Sequence, residues 1–78
     1  MHYEINIESY SKKNNSLTKE FEFQVPVSYI RERKTIDDVI SFLRIQKSWI
    51  EDFDRDKGKE DYEQTWIVFI NKRKYTIK

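Results

Sequence analysis

Three aspartates, Asp52, Asp54 and Asp56, are followed by Glu60 and Glu63, and together they stand at the ligand spacing of a calcium-binding EF-hand loop. Such a loop needs glycine at its sixth position, where the chain has Lys57, with Gly58 one residue late. Its eighth position, normally apolar, is Lys59, and a strand pattern follows where a second helix belongs. Arg55, Lys57 and Lys59 would also repel a divalent ion, so a solvated acidic loop without metal is expected. General acid–base chemistry has little to draw on. His2 is the single histidine and sits at a terminus, and Asp37 and Asp38 are neighbours whose side chains diverge on a helix. Cysteine is absent, which excludes disulfides, thiolate metal sites and thiol nucleophiles. No catalytic residue, metal site or cofactor is expected.

A second chemistry is phosphate binding. Arg31, Arg33 and Lys34 form one basic group and Lys72, Arg73 and Lys74 another, with Tyr29 or Tyr75 available to stack on bases. Against this, fifteen Lys and Arg balance fourteen Asp and Glu, leaving a net charge of +1. The balance is uneven along the chain: residues 51–63 hold seven acids and three bases, whereas 64–78 hold four bases and no acid. Nucleic-acid binding through the basic C-terminal hairpin is the alternative, not the leading, expectation.

The elements that must carry these groups fit one domain spanning residues 1–78. With 15% aromatic residues, one Gly and one Pro, the chain should fold compactly, without linkers or a Gly-rich phosphate loop. The N-terminal segment has no apolar signal core, and no run approaches the ~18 apolar residues of a membrane span, so a soluble, cytoplasmic protein is expected. Tyr3, Ile5 and Ile7 alternate with Glu4, Asn6 and Glu8 in a first strand. After the turn-rich 11–16 segment, Phe21, Phe23, Val25 and Val27 alternate with polar neighbours in a second, ending near Pro26, which suits an edge. Thr35 and Asp38 predict a capped helix from Ile36 to about Phe53. The apolar run Trp66–Ile70 predicts a central strand, residues 71–74 a turn, and Tyr75–Ile77 a last short strand.

The helix has more apolar surface than one sheet can cover. Ile36, Val39, Ile40, Leu43 and Ile50 form a core stripe, and Phe42, Ile45, Trp49 and Phe53 a second one about a quarter-turn away. Either the Val27-Tyr29-Ile30 connection covers the second stripe, or a partner protein or second copy of the chain does. The third strand poses the same choice, being apolar on both parities: Trp66, Val68 and Ile70 on one, Ile67 and Phe69 on the other.

The order strand, strand, helix, strand, strand, with the helix on one face of a mixed sheet, resembles the β-grasp arrangement. Thr35-Ile36-Asp37-Asp38-Val39 is similar to the threonine-capped helix start of ubiquitin, and Ile67 to Lys72 to its third strand and turn. Asn15-Ser16, Phe21 to Val27, and Trp66-Ile67-Val68 with Asn71-Lys72 also resemble the small YukD-like relatives of type VII secretion systems. The resemblance implies an α+β, ββαββ, ubiquitin-like fold with a four-stranded mixed sheet, and a partner-binding open sheet face, to which Trp66, Val68 and Ile70 are assigned. The chain ends at Thr76-Ile77-Lys78 without Gly-Gly, so conjugation and sulfur-carrier roles are not expected. Nor is the fifth strand of those relatives present in the pattern.

The expectation is a non-enzymatic protein-interaction module binding through Phe42, Ile45, Trp49 and Phe53 or through the open sheet face. Its partner could be a secretion component, a second copy in a homodimer, or, for a small phage-encoded inhibitor, a host defence or nucleic-acid enzyme. No membrane association is expected.

Overall fold

The computed structural model describes residues 2–29 and 35–78. Strands β1 (His2–Ser11) and β2 (Leu17–Pro26) form a hairpin, a 3-10 turn covers Val27–Tyr29, helix α1 runs Ile36–Asp56, and β3 (Gln64–Ile70) and β4 (Arg73–Ile77) form a second hairpin. The fold is therefore α+β, with one α-helix and one sheet, in the order β2-β1-β3-β4, among the described residues.

All three strand interfaces are antiparallel. The expected mixed sheet does not form, because β1 lies between β2 and β3 and runs against both. Strands β2 and β3 thus point the same way without touching, and α1 returns the chain between them as a split crossover. Pro26, which has no N–H to donate, ends β2 at the sheet edge, as its chemistry requires.

Local signals fix the element ends. Asn71 (φ 49°) and Lys72 (φ 71°) form the two-residue turn between Ile70 and Arg73, both in the left-handed region that a tight hairpin demands. Asn71 also holds β1, donating its N–H to the Glu4 carbonyl at 2.9 Å and accepting the Glu4 N–H on Oδ1 at 3.0 Å. At the start of α1, Thr35 and Asp38 form the reciprocal capping box. The helix ends where Gly58, at φ 75°, donates to the Arg55 carbonyl at 2.9 Å. It therefore runs three residues past Phe53, and Asp54 and Asp56 belong to it instead of to a loop.

Residues paired across antiparallel strands share a face, so the sheet has two sets of rows. Phe21–Ile7–Val68–Tyr75, Phe23–Ile5–Ile70 and Ser9–Trp66–Ile77 face the helix. Val39 and Leu43 of α1, both 0% exposed, meet them in one core that includes Ile5, Ile7, Val25, Trp66, Val68, Ile70 and Ile77. Burying each large aliphatic side chain there contributes about 1.5–3 kcal/mol of transfer free energy. The opposite face carries Glu20–Glu8–Ile67–Thr76 and Glu22–Asn6–Phe69–Lys74.

Candidate protein-interaction site

Ile45, Trp49 and Phe53 are 50%, 63% and 58% exposed and, with Leu17, are the exposed large apolar side chains among the described residues. Their spacing of four residues puts them on one face of α1, in a line one side chain wide. Phe42 begins the same line but is partly buried and packs against the core, so the exposed stripe is continuous with the interior. A cavity of about 160 Å³ opens beside it between α1 and β2, with Phe42 and Gln46 on one wall and Phe21 and Phe23 on the other. The stripe thus faces the β2 edge of the sheet. Of the connection expected to cover it, Ile30 lies outside the described residues, while Val27–Tyr29 forms the 3-10 turn.

Trp66, Val68 and Ile70, assigned to an open sheet face, are instead 2%, 0% and 0% exposed in the core. Register decides this: Val68 and Ile70 pair with Ile7 and Ile5, the buried parity of β1, and Trp66 contacts Phe21 at a ring-centroid distance of 6.0 Å. Those three residues cannot contact a partner without unfolding the sheet. Their open-face counterparts are Ile67 and Phe69, both half-buried.

The open face is acidic. Glu4, Glu8, Glu20 and Glu22 project from β1 and β2, with Glu8 directly opposite Glu20. None of the four takes part in an ion pair among the described residues. Tyr10 reports the resulting field: desolvation first, then its 3.2 Å hydrogen bond to Glu8 and the charges of Glu8 and Glu20, raise its hydroxyl above the ordinary 10.0. Lys72, Arg73 and Lys74 are exposed on the β3–β4 hairpin, at the far edge of this sheet. Arg31, Arg33 and Lys34 lie outside the described residues, so only half of the expected basic group is placed.

Sequence periodicity misses a buried polar network under the C-terminal half of α1. Lys47, 4% exposed, occupies the core-facing position one turn after Leu43 and donates to Glu51 Oε1 at 2.9 Å. The other oxygen of Glu51 accepts the Gln64 backbone N–H at 2.8 Å. The Gln64 side-chain oxygen accepts from Ser9 Oγ at 2.8 Å and Thr18 Oγ1 at 2.6 Å, and its amide donates to the Asp61 carbonyl. Asp54, 5% exposed, is held between Lys59 at 3.2 Å and Lys19 at 3.5 Å. Ser9, Thr18, Lys19, Asp54, Lys59, Asp61 and Gln64 of this network line a cavity of about 320 Å³. One acceptor there, Asp61 Oδ1, is buried without a donor among the described residues. The remainder are engaged with one another, which suits bracing of α1 on the sheet more than acid–base work. Asp52, Asp54 and Asp56 do not converge: on a helix, residues two apart point to nearly opposite sides, and no three His, Asp or Glu among the described residues are grouped to hold a metal. His2 is exposed at the start of β1. No helix among the described residues is long and apolar enough to cross a membrane. Comparison with known protein families, curated proteins and solved structures returns no match.

Proposed function

We propose that this protein is a non-enzymatic protein-interaction module whose docking surface is the Phe42–Ile45–Trp49–Phe53 stripe of α1. The observation that carries the reading is the exposure of Ile45, Trp49 and Phe53 in one line on a helix that packs on the sheet through Val39 and Leu43. Apolar surface of this kind costs free energy in water, and a central Trp flanked by aliphatic and aromatic neighbours is the composition of binding hot spots. The acidic sheet face argues against nucleic acid as the ligand, since four glutamates would repel phosphates approaching from that side. The ubiquitin-like resemblance enters as part of this proposal. It is supported by the ββαββ order and the Thr35 cap, whereas the strand pairs among the described residues are all antiparallel. A secretion component and an enzyme targeted by a phage inhibitor both remain partners of the right class.

Site-specific photo-crosslinking tests it. A crosslinker at Ile45 should capture a defined protein that the same group at Lys74 does not. With that partner purified, Trp49→Ala should lower affinity by ~2 kcal/mol or more, about thirtyfold in Kd. Equal capture from both positions, or unchanged affinity in Trp49→Ala, overturns the reading.

A further inference from the structure

Strand β2 is an edge of the sheet. Among the described residues only β1 pairs with it, so half of the backbone N–H and C=O groups along its ten residues point outward. The helix overhangs this edge. Val39 and Leu43 point from α1 into the core, and Phe42, Trp49 and Phe53 lie about a quarter-turn round the helix, which aims them sideways, on the β2 side. The cavity of about 160 Å³ between Phe42 and Gln46 of α1 and Phe21 and Phe23 of β2 lies on that same side. It is mostly apolar and comparable to cavities of about 150 Å³ that hold a benzene ring, so one apolar side chain fits it.

Geometry and charge select the occupant. A helix laid on the stripe leaves the outward groups of β2 unpaired. A strand hydrogen-bonded to β2 lies about 4.8 Å outside it, beneath the stripe, and covers both. On the face turned away from α1, β2 presents Glu20 and Glu22, neither in an ion pair among the described residues. Two copies paired antiparallel through β2 keep equivalent faces on one side. Registers centred at Glu20, Phe21 or Glu22 then set a glutamate directly opposite a glutamate, which is destabilising. Registers centred further along run into Pro26 or into the irregularity at Ser9 and Tyr10, and pair fewer residues. A strand with cations at those positions has the complementary pattern.

We infer that β2 accepts an extended segment of another protein as a fifth strand. Its apolar side chains, at alternate positions, fill the cavity and pack under Phe42 and Trp49, and Lys or Arg at the intervening positions stand opposite Glu20 and Glu22. This rests on the interaction-module reading above, and adds to it the partner's conformation and charge pattern.

Synthetic Trp-free peptides of about eight residues, the reach of Leu17–Gln24 at ~3.3 Å each, supply the probe. Two share Ile or Val at alternate positions and carry Lys between them in one peptide, Glu in the other. Two further copies of the Lys peptide are N-methylated on one or the other alternate set of amides, so that one of them cannot donate to β2. Trp49 emission reports binding, since Trp66 is already buried. The Lys peptide should bind at least about tenfold more tightly than the Glu peptide, the preference should shrink as salt rises, and alternate amides of β2 should exchange more slowly in the complex. One methylated peptide should bind like its parent and the other at least about tenfold more weakly. Glu20→Lys combined with Glu22→Lys should reverse the charge preference. Equal affinity of the two methylated peptides, or no preference for Lys over Glu, overturns the inference. Binding of no peptide overturns it too, and a crosslinked partner at Ile45 then shows that the interaction reading stands without it. A dimer by sedimentation with the β2 amides protected also overturns it, because the second copy is then the occupant.

Discussion

Lys47 Nζ donates to Glu51 Oε1 at 2.9 Å one turn along α1, with the lysine side chain 5% and the glutamate side chain 20% exposed. The pair also reaches the sheet, because the second oxygen of Glu51 accepts the N–H of Gln64 at the start of β3. A charged pair therefore does at this end of the helix what Val39 and Leu43 do at the other. Removing one partner should cost far more than replacing the cation by an apolar chain. Glu51→Ala, which strands a buried ammonium, should destabilise by about 3–5 kcal/mol, and Lys47→Met by much less. Urea unfolding of both variants checks the order, and a reversed order would show that Lys47 is not desolvated.

Trp49 and Trp66 should respond in opposite ways to truncation. Trp66→Ala removes a core side chain in ring contact with Phe21 and should cost roughly 3–5 kcal/mol, enough to unfold so small a domain. Trp49→Ala, at an exposed position, should change stability by about 0.5 kcal/mol or less, shifting Tm by only ~2–4 °C. Thermal melts followed by circular dichroism distinguish them. A Trp49→Ala variant that fails to fold would mean the stripe is covered within the chain.

The cap of α1 gives a local test. Thr35→Ala deletes the hydroxyl that accepts the Asp38 N–H at 3.4 Å and donates to the Asp38 carboxylate, and should lower stability by ~1 kcal/mol. The loss should appear as a lower midpoint at unchanged slope in denaturant unfolding. Wild-type stability would place the helix start elsewhere.

The acidic sheet face can be read through Tyr10. Its hydroxyl should titrate above 10.0, and Glu20→Gln should lower that value by removing a charge without touching the hydrogen bond to Glu8. The sign for stability follows. Because the folded state holds the proton more tightly, nothing is lost well below pH 10, and stability falls as pH rises past the unfolded value and the unfolded chain ionises first. Residue-resolved NMR titration of the tyrosine ring checks both, and an unmoved value in Glu20→Gln would show that the field does not reach Tyr10.

Much of this protein is legible locally. Alternation in β1 and β2, the Thr35–Asp38 box, the Pro26 edge and the two apolar stripes of α1 depend on neighbours within a few residues, which is the range over which backbone periodicity and capping act. The helix stripe was likewise visible as Phe42, Ile45, Trp49 and Phe53, although its exposure was not. Tertiary structure decided three things. It chose which parity of β3 is buried, since Trp66-Val68-Ile70 and Ile67-Phe69 are equally apolar and only pairing with Ile5 and Ile7 separates them. It set every strand pair antiparallel, because placing β1 between β2 and β3 is a long-range choice that no local pattern encodes. And it buried Lys47 and Asp54, which read as solvent-facing charges until Glu51, Lys19 and Lys59 arrive from along the helix, from β2 and from the following turn. A charge can enter a core only when its partners are brought to it, and the fold alone supplies them.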